Sequence, residues 1–206
     1  VHLLQFGAGF QDQVRLAHKD FLPRWGQVFS VNYALNPADE NFSHLVSVYA
    51  KGYFPGVAKH HSLSLAAVYQ TSLGGFDHEK ALSNLAFHSG RLIPRGFYTT
   101  DIENRDYVAT SLNYALPICY PDWGIGPIIH FKRLRVNLGF DYASFTHKTM
   151  QINPDFTLSP QNERHHIISY GGDISLDFNL FKMPAAGTTS LTLSIYQPTI
   201  ITKHNN

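Results

Sequence analysis

This chain is poor in cysteine, in long apolar runs and in charge imbalance. One cysteine, Cys119, among 206 residues excludes an internal disulfide and any cysteine-rich metal centre. No stretch approaches the ~20 consecutive apolar residues that a membrane-crossing helix needs. Helical membrane topology is therefore excluded, although 44% of the residues are hydrophobic. The 16 Lys and Arg nearly cancel the 15 Asp and Glu, for a net charge of +1, so nothing favours nucleic acid as a partner. Amphipathic helices of useful length are also lacking. Residue 1 is Val, with no basic segment and apolar stretch of a leader around it. The chain is expected to begin inside a longer protein or after processing.

What the chain does have is alternation. From Arg133 to Phe145, residues Leu134, Val136, Leu138, Phe140 and Tyr142 fall on one face. Arg133, Arg135, Asn137, Gly139, Asp141 and Ala143 fall on the other. Tyr170 to Leu180 repeats this, with Tyr170, Ile174, Leu176, Phe178 and Leu180 opposite Gly171, Asp173, Ser175, Asp177 and Asn179. Period two marks a β-strand with opposed faces. Charge on the face where a soluble sheet would bury its core suggests a barrel that is apolar outside and wet inside.

Further strands are expected over Leu3–Ala17, Gln27–Leu35, Ser43–Phe54, His61–Gln70, Tyr107–Leu116 and Ser190–Gln197, about eight in all. Their connections form two classes. One set (Phe21–Gly26, Phe54–Gly56, Pro117–Pro127 and Phe181–Gly187) contains Pro and sits beside aromatics. The alternate set (Asn36–Phe42, Thr71–Asp106, Thr146–Arg164 and the tail after Pro198) holds the longest and most polar connections. Short turns at one end and long loops at the other is the asymmetry of an outer-membrane barrel. Trp25, Tyr53, Phe54, Tyr120, Trp123 and Phe181 are expected to form an aromatic girdle at one interface. The expected fold is thus all-β, a partial transmembrane antiparallel β-barrel. The alternative is a soluble β-sandwich binding module or a lipocalin-like barrel, with its apolar face inward. Soluble strands average about 5–6 residues, whereas several here exceed the ~9–11 that cross a bilayer at a tilt.

The long interval Thr71–Asp106 contains Ile93-Pro94-Arg95-Gly96-Phe97. An Arg on a loop folded into the lumen requires an acidic partner, because an unpaired buried guanidinium is costly. Asp141, on the polar face of a later strand, can supply it as a bidentate pair. Arg133, Arg135, Asp173 and Asp177 face the same way, either as solvated lumen charges or as additions to this network.

These residues resemble the bacterial surface-antigen barrels of the BamA and TamA type. In that family a long extracellular loop carries an Arg-Gly-Phe/Tyr motif, matched here by Arg95, Gly96 and Phe97. The loop folds into the barrel against a later strand bearing Phe/Gly-x-Asp-x-Gly. Gly139 and Asp141 match that motif, and Ala143 stands in place of its last Gly. Asp20, Pro23 and Gly26 resemble the family's Asp-x-x-Pro-x-x-Gly turn. Asn113 to Ile118 is similar to its Glu-Tyr-Arg-Phe-Pro-Ile segment without the charges, and Tyr-Phe-Pro-Gly and Tyr-Pro-Asp-Trp-Gly-Ile-Gly resemble Bacteroidota versions.

The resemblance implies that residues 1–206 are the C-terminal part of an outer-membrane barrel of about sixteen strands, covering roughly the eighth to the fifteenth. The final strand would be missing, and the chain would stop in an external loop at Lys203 to Asn206. It further implies a Gram-negative outer membrane, lipid neighbours, and a role in inserting or translocating proteins or in anchoring a soluble domain. Client outer-membrane proteins and accessory assembly proteins would be the partners. A passive pore or anchor is the alternative.

No enzyme chemistry or cofactor is expected. His60-His61 and His165-His166 are adjacent pairs whose side chains point to opposite faces of a strand. No His-Glu-x-x-His spacing occurs. Gly7-Ala8-Gly9 lacks the third glycine of a dinucleotide loop, and no Gly-x-Ser-x-Gly elbow is present. A Ser/His/Asp set spread over barrel walls would leave no local motif.

Overall fold

A computed structural model describes residues 4–15, 20, 22–35, 37, 44–73, 92–97, 106–126, 128–152, 158–180 and 188–203. All regular structure among them is β. The strands are β1 (Leu4–Gln13), β2 (Gly26–Leu35), β3 (His44–Pro55), β4 (Ser62–Leu73) and β5 (Tyr107–Cys119), followed by the three-residue β6 (Trp123–Ile125). The series ends with β7 (Ile129–Ile152), β8 (Leu158–Leu180) and β9 (Thr189–Lys203). They form one antiparallel nine-stranded sheet in the order β1-β2-β3-β4-β5-β7-β8-β9, with β6 paired to the start of β7. The sheet is not closed: β1 and β9 are its two edges.

The two faces have the opposite sense to a soluble sheet. Leu191, Leu193 and Ile195 of β9 are 67%, 63% and 70% exposed, and Phe6, Phe29, Leu65, Leu138 and Phe140 are exposed on the same face. On the other face Asp141 and Asp177 are 3% and 1% exposed. This inward face is concave, with residues of several strands lining one cavity beside Leu22 of the β1–β2 connection. Leu22 shares a cavity of about 350 Å³ with Lys51, Ser64, Asn113, Arg135 and Asp173, which come from β3, β4, β5, β7 and β8.

Some expectations need correcting. Residues 146–152 and 158–164 of the expected Thr146–Arg164 loop are strand: β7 and β8 run on as a paired ribbon from Thr146↔Arg164 to Ile152↔Leu158, and residues 153–157 lie outside the described residues. In the sequence Thr146, His147, Lys148 and Thr149 follow one another, so period-two contrast is interrupted there while backbone pairing continues. The expected tail after Pro198 belongs to β9 as far as Lys203, and Pro117–Cys119 belongs to β5 with a register shift at that point. The first strand is shorter than Leu3–Ala17, ending at Gln13. Tyr53 is not part of an outward girdle. It is buried on the inward face, beneath Lys51 Nζ at 4.7 Å from the ring centroid, because alternation sends Phe54 outward and Tyr53 inward. Tyr120 is half-buried and edge-on to His60 at 6.2 Å. Phe181 lies outside the described residues.

The inward face is not polar throughout. Towards the long-loop end it carries a buried apolar cluster of Ala66, Val68, Leu92, Tyr107, Ala109, Ala143, Phe145 and Ile167. Leu92 belongs to the β4–β5 connection, so this cluster seats an incoming loop segment on the sheet.

Candidate functional site: a loop latched to the inner face

Residues Leu92–Phe97 lie on the concave face. Phe97 N–H donates to Pro94 O at 3.3 Å, closing a tight turn with Arg95 and Gly96 at its centre. Gly96 has φ +88°, the left-handed value that the third position of a type II turn demands. The turn is fixed at its entry by Tyr107, whose hydroxyl donates to Leu92 O at 2.7 Å. Phe97 and Ile93 pack against the apolar cluster, which fixes the turn at its other side.

This geometry delivers Arg95 to Asp141. Nε donates to Oδ2 at 2.7 Å and Nη2 to Oδ1 at 2.8 Å, a bidentate pair. The Arg95 backbone N–H adds a third bond to Oδ2 at 3.0 Å, and Ser111 Oγ donates to Oδ1 at 2.6 Å. A carboxylate that accepts four donors has exchanged its water for fixed partners, which is the condition for holding charge away from solvent. Gly139, two residues before Asp141, makes room: a Cβ there would meet Arg95 Nη2 at 2.2 Å.

The guanidinium also reaches the edge strand. Nη1 donates to Tyr196 OH at 2.6 Å, and the ring of Tyr196 lies 4.4 Å from Cζ. Tyr196 in turn donates to Asp173 Oδ2 at 2.8 Å. Asn137 Nδ2 donates to Asp173 Oδ2 at 3.0 Å and to Asn113 Oδ1 at 3.2 Å, and Asn113 Nδ2 donates to Ser111 Oγ at 3.0 Å. A closed circuit of polar contacts therefore runs Arg95–Asp141–Ser111–Asn113–Asn137–Asp173–Tyr196 and back to Arg95. It ties the loop to β5, β7, β8 and β9. Gly96 adds contact with β9, where a Cβ would sit 3.4 Å from Pro198.

Arg133, Arg135 and Asp177 form a separate cluster towards the short-turn end. Asp177 accepts from Arg133 Nε at 2.5 Å, Arg135 Nε at 3.1 Å and Ser190 Oγ at 2.6 Å. Arg133 Nη1 also donates to the backbone oxygen of Asp20 at 3.2 Å, and Asp20 Oδ1 meets His60 Nδ1 at 2.6 Å. His60 holds this position from the left-handed region, φ 65°, which is costly for a residue with a Cβ. Beside it, burial raises the Tyr120 phenol above its ordinary value, Arg133 pulls it back, and Asp20 adds to the rise.

The structure thus brings Arg95, Gly96, Phe97, Gly139, Asp141 and Asp173 together, and places Arg133, Arg135 and Asp177 in a second group. Sequence reasoning did not pick out Tyr196, Ser111, Asn113 or Asn137. The available signal for Tyr196 was a ring on the polar face of a strand that otherwise offers Ser190, Thr192 and Ser194 there. Among the described residues no three His, Cys, Asp or Glu side chains gather as metal ligands. Searches of family models, curated proteins and solved structures returned no match to this chain.

Proposed function

We propose that this chain is wall and latch of a transmembrane β-barrel of the surface-antigen superfamily, resident in a Gram-negative outer membrane. Its work is to insert or translocate proteins, or to anchor a soluble domain, and it makes and breaks no covalent bonds. The observation that carries this reading is the sidedness of the sheet. Large apolar side chains are exposed on one face, while Arg–Asp pairs are covered on the other. An exposed apolar surface of this extent in water would cost roughly 25 cal/mol per Å², and contiguous patches beyond a few hundred Å² mark lipid or partner surfaces. Lipid removes that cost across the whole outward face, which a single docked protein would cover only in part.

In this reading the Arg95 loop is a brace. It spans from β5 to β9 and couples loop position to the curvature of the wall. The latched loop also occupies part of the concave face, which favours the assembly role over a passive open pore. Depletion of the intact protein in its host, with the other outer-membrane proteins followed by quantitative mass spectrometry of the membrane fraction, tests the role. A fall in other barrels supports assembly. Unchanged barrels together with steady single-channel conductance from the purified protein contradict it.

A further inference from the structure

Among the described residues three tyrosine–histidine pairs lie on the outward face. Tyr33 hydrogen-bonds His44 across β2 and β3, and their rings stack at 5.6 Å. Tyr142 OH meets His166 Nδ1 at 2.9 Å across β7 and β8, with the rings stacked at 6.1 Å. Tyr114 OH meets His61 Nδ1 at 2.8 Å across β4 and β5. Register puts each pair on the apolar side: His44 opposes Leu35, Tyr114 opposes Leu63, and Tyr142 follows the exposed Phe140.

Their positions along the strands are not scattered. The Tyr33–His44 and Tyr142–His166 pairs sit towards the long-loop end. The His61–Tyr114 pair sits towards the short-turn end, where Trp25 lies edge-on to Phe54 at 6.0 Å and Trp123 stacks on Phe131 at 5.5 Å. Between Phe131 and Tyr142 the outward positions of β7 are Leu134, Val136, Leu138 and Phe140. About 11 residues at ~3.3 Å make roughly 36 Å of strand, or about 25 Å of height at a ~45° tilt. That equals the ~25 Å apolar band of an outer-membrane barrel.

Val57 N–H donates to Tyr114 OH at 3.3 Å, which ties this pair to the β3–β4 turn. An amphipathic Tyr–His pair at the end of an apolar band suits the ester and phosphate oxygens of lipid headgroups, as Tyr and Trp do at membrane interfaces. Arg164, exposed on the same face two residues beyond His166, adds a cation at that level.

We infer that the outward Tyr–His pairs are headgroup anchors: Tyr33–His44 and Tyr142–His166 at one bilayer surface, His61–Tyr114 at the other. This rests on the membrane reading, and its test separates the two. The intact protein in phosphatidylcholine nanodiscs is probed by nuclear Overhauser contacts from assigned side chains to choline methyls and to acyl-chain terminal methyls. The expected result is contact from His44, His61 and His166 ring protons to choline, and from Leu138 and Leu193 methyls to the acyl ends. Leu138 contacting acyl chains while the histidine rings contact only acyl ends, or no lipid, overturns the anchors alone. No lipid contact from any of these residues overturns the membrane reading and the anchors with it.

Discussion

The Arg95 guanidinium lies against the bare Cα of Gly139, so close that a methyl group there would approach Nη2, Cζ and Nη1 at 2.2–2.5 Å. The contact explains why a glycine stands two residues before the carboxylate that Arg95 engages. A wall without a side chain at that point lets the guanidinium settle flat and reach both Asp141 oxygens.

Gly139→Ala is therefore expected to unseat Arg95 while leaving strand pairing in place. Overpacking of this kind costs about 1–3 kcal/mol. Limited trypsin digestion of the folded protein reads it out: cleavage after Arg95 becomes at least ten-fold faster in the variant, with β-sheet circular dichroism unchanged. Equal cleavage rates would contradict the contact.

Asp141→Ala and Arg95→Ala remove the same pair from opposite sides. Arg95 keeps 27% side-chain exposure, so each loss falls below the ~3–5 kcal/mol of a fully buried pair, at about 2–3 kcal/mol. The double variant is expected to cost less than the two singles added, because each single leaves a covered charge. Urea unfolding midpoints of the protein in detergent test this. Strict additivity would show that the two groups do not act as a pair.

Tyr196→Phe keeps the ring under the guanidinium and removes two hydrogen bonds, from Arg95 and to Asp173. A loss of about 1–2 kcal/mol is expected. The effect should be concentrated in β9, seen as faster amide hydrogen exchange from residues 193–197 and 199 than from the corresponding wild-type amides, with β3 unaffected. A uniform change across both strands would mean that Tyr196 does not link the loop to the edge.

Asp177 is shared by Arg133 and Arg135. Asp177→Ala should lower folded yield more than Arg135→Gln, because it leaves two like charges facing each other. Adding Arg135→Gln to Asp177→Ala should then recover part of the yield. Heat-resistant mobility on gels reads the folded fraction. No recovery in the double variant would argue that Asp177 acts through Ser190 rather than through the arginines.

The legibility of this chain follows its chemical contrast. Leu134–Phe145 was readable because apolar and charged residues alternate without interruption, and Asp141 took its face from that pattern. The run could not be read upstream because Lys132 is bulged out of register between Phe131 and Arg133, which lets Phe131 and Leu134 face the same way. The strand parts of Thr146–Arg164 were misread because the polar run Thr146 to Thr149 interrupts the alternation. Arg95 and Asp141 could be joined because Arg95 stands in an Arg-Gly-Phe motif on the long interval and Asp141 is the one acid on the inward face of its strand. Ser111, Asn113 and Asn137 look like ordinary lumen residues along the chain. Their connection exists only once β5 and β7 are paired, with Ser111 opposite Asp141 and Asn113 opposite Gly139.

Spin labels placed singly at positions 191–195 of β9, in a Cys119→Ser background of the intact protein in phospholipid vesicles, test the sidedness of the sheet most directly. Oxygen accessibility should be high at 191, 193 and 195 and low at 192 and 194, with a water-soluble nickel reagent showing the reverse. Uniform exposure to the water-soluble reagent, or an inverted alternation, would mean that the leucine and isoleucine side faces something other than acyl chains.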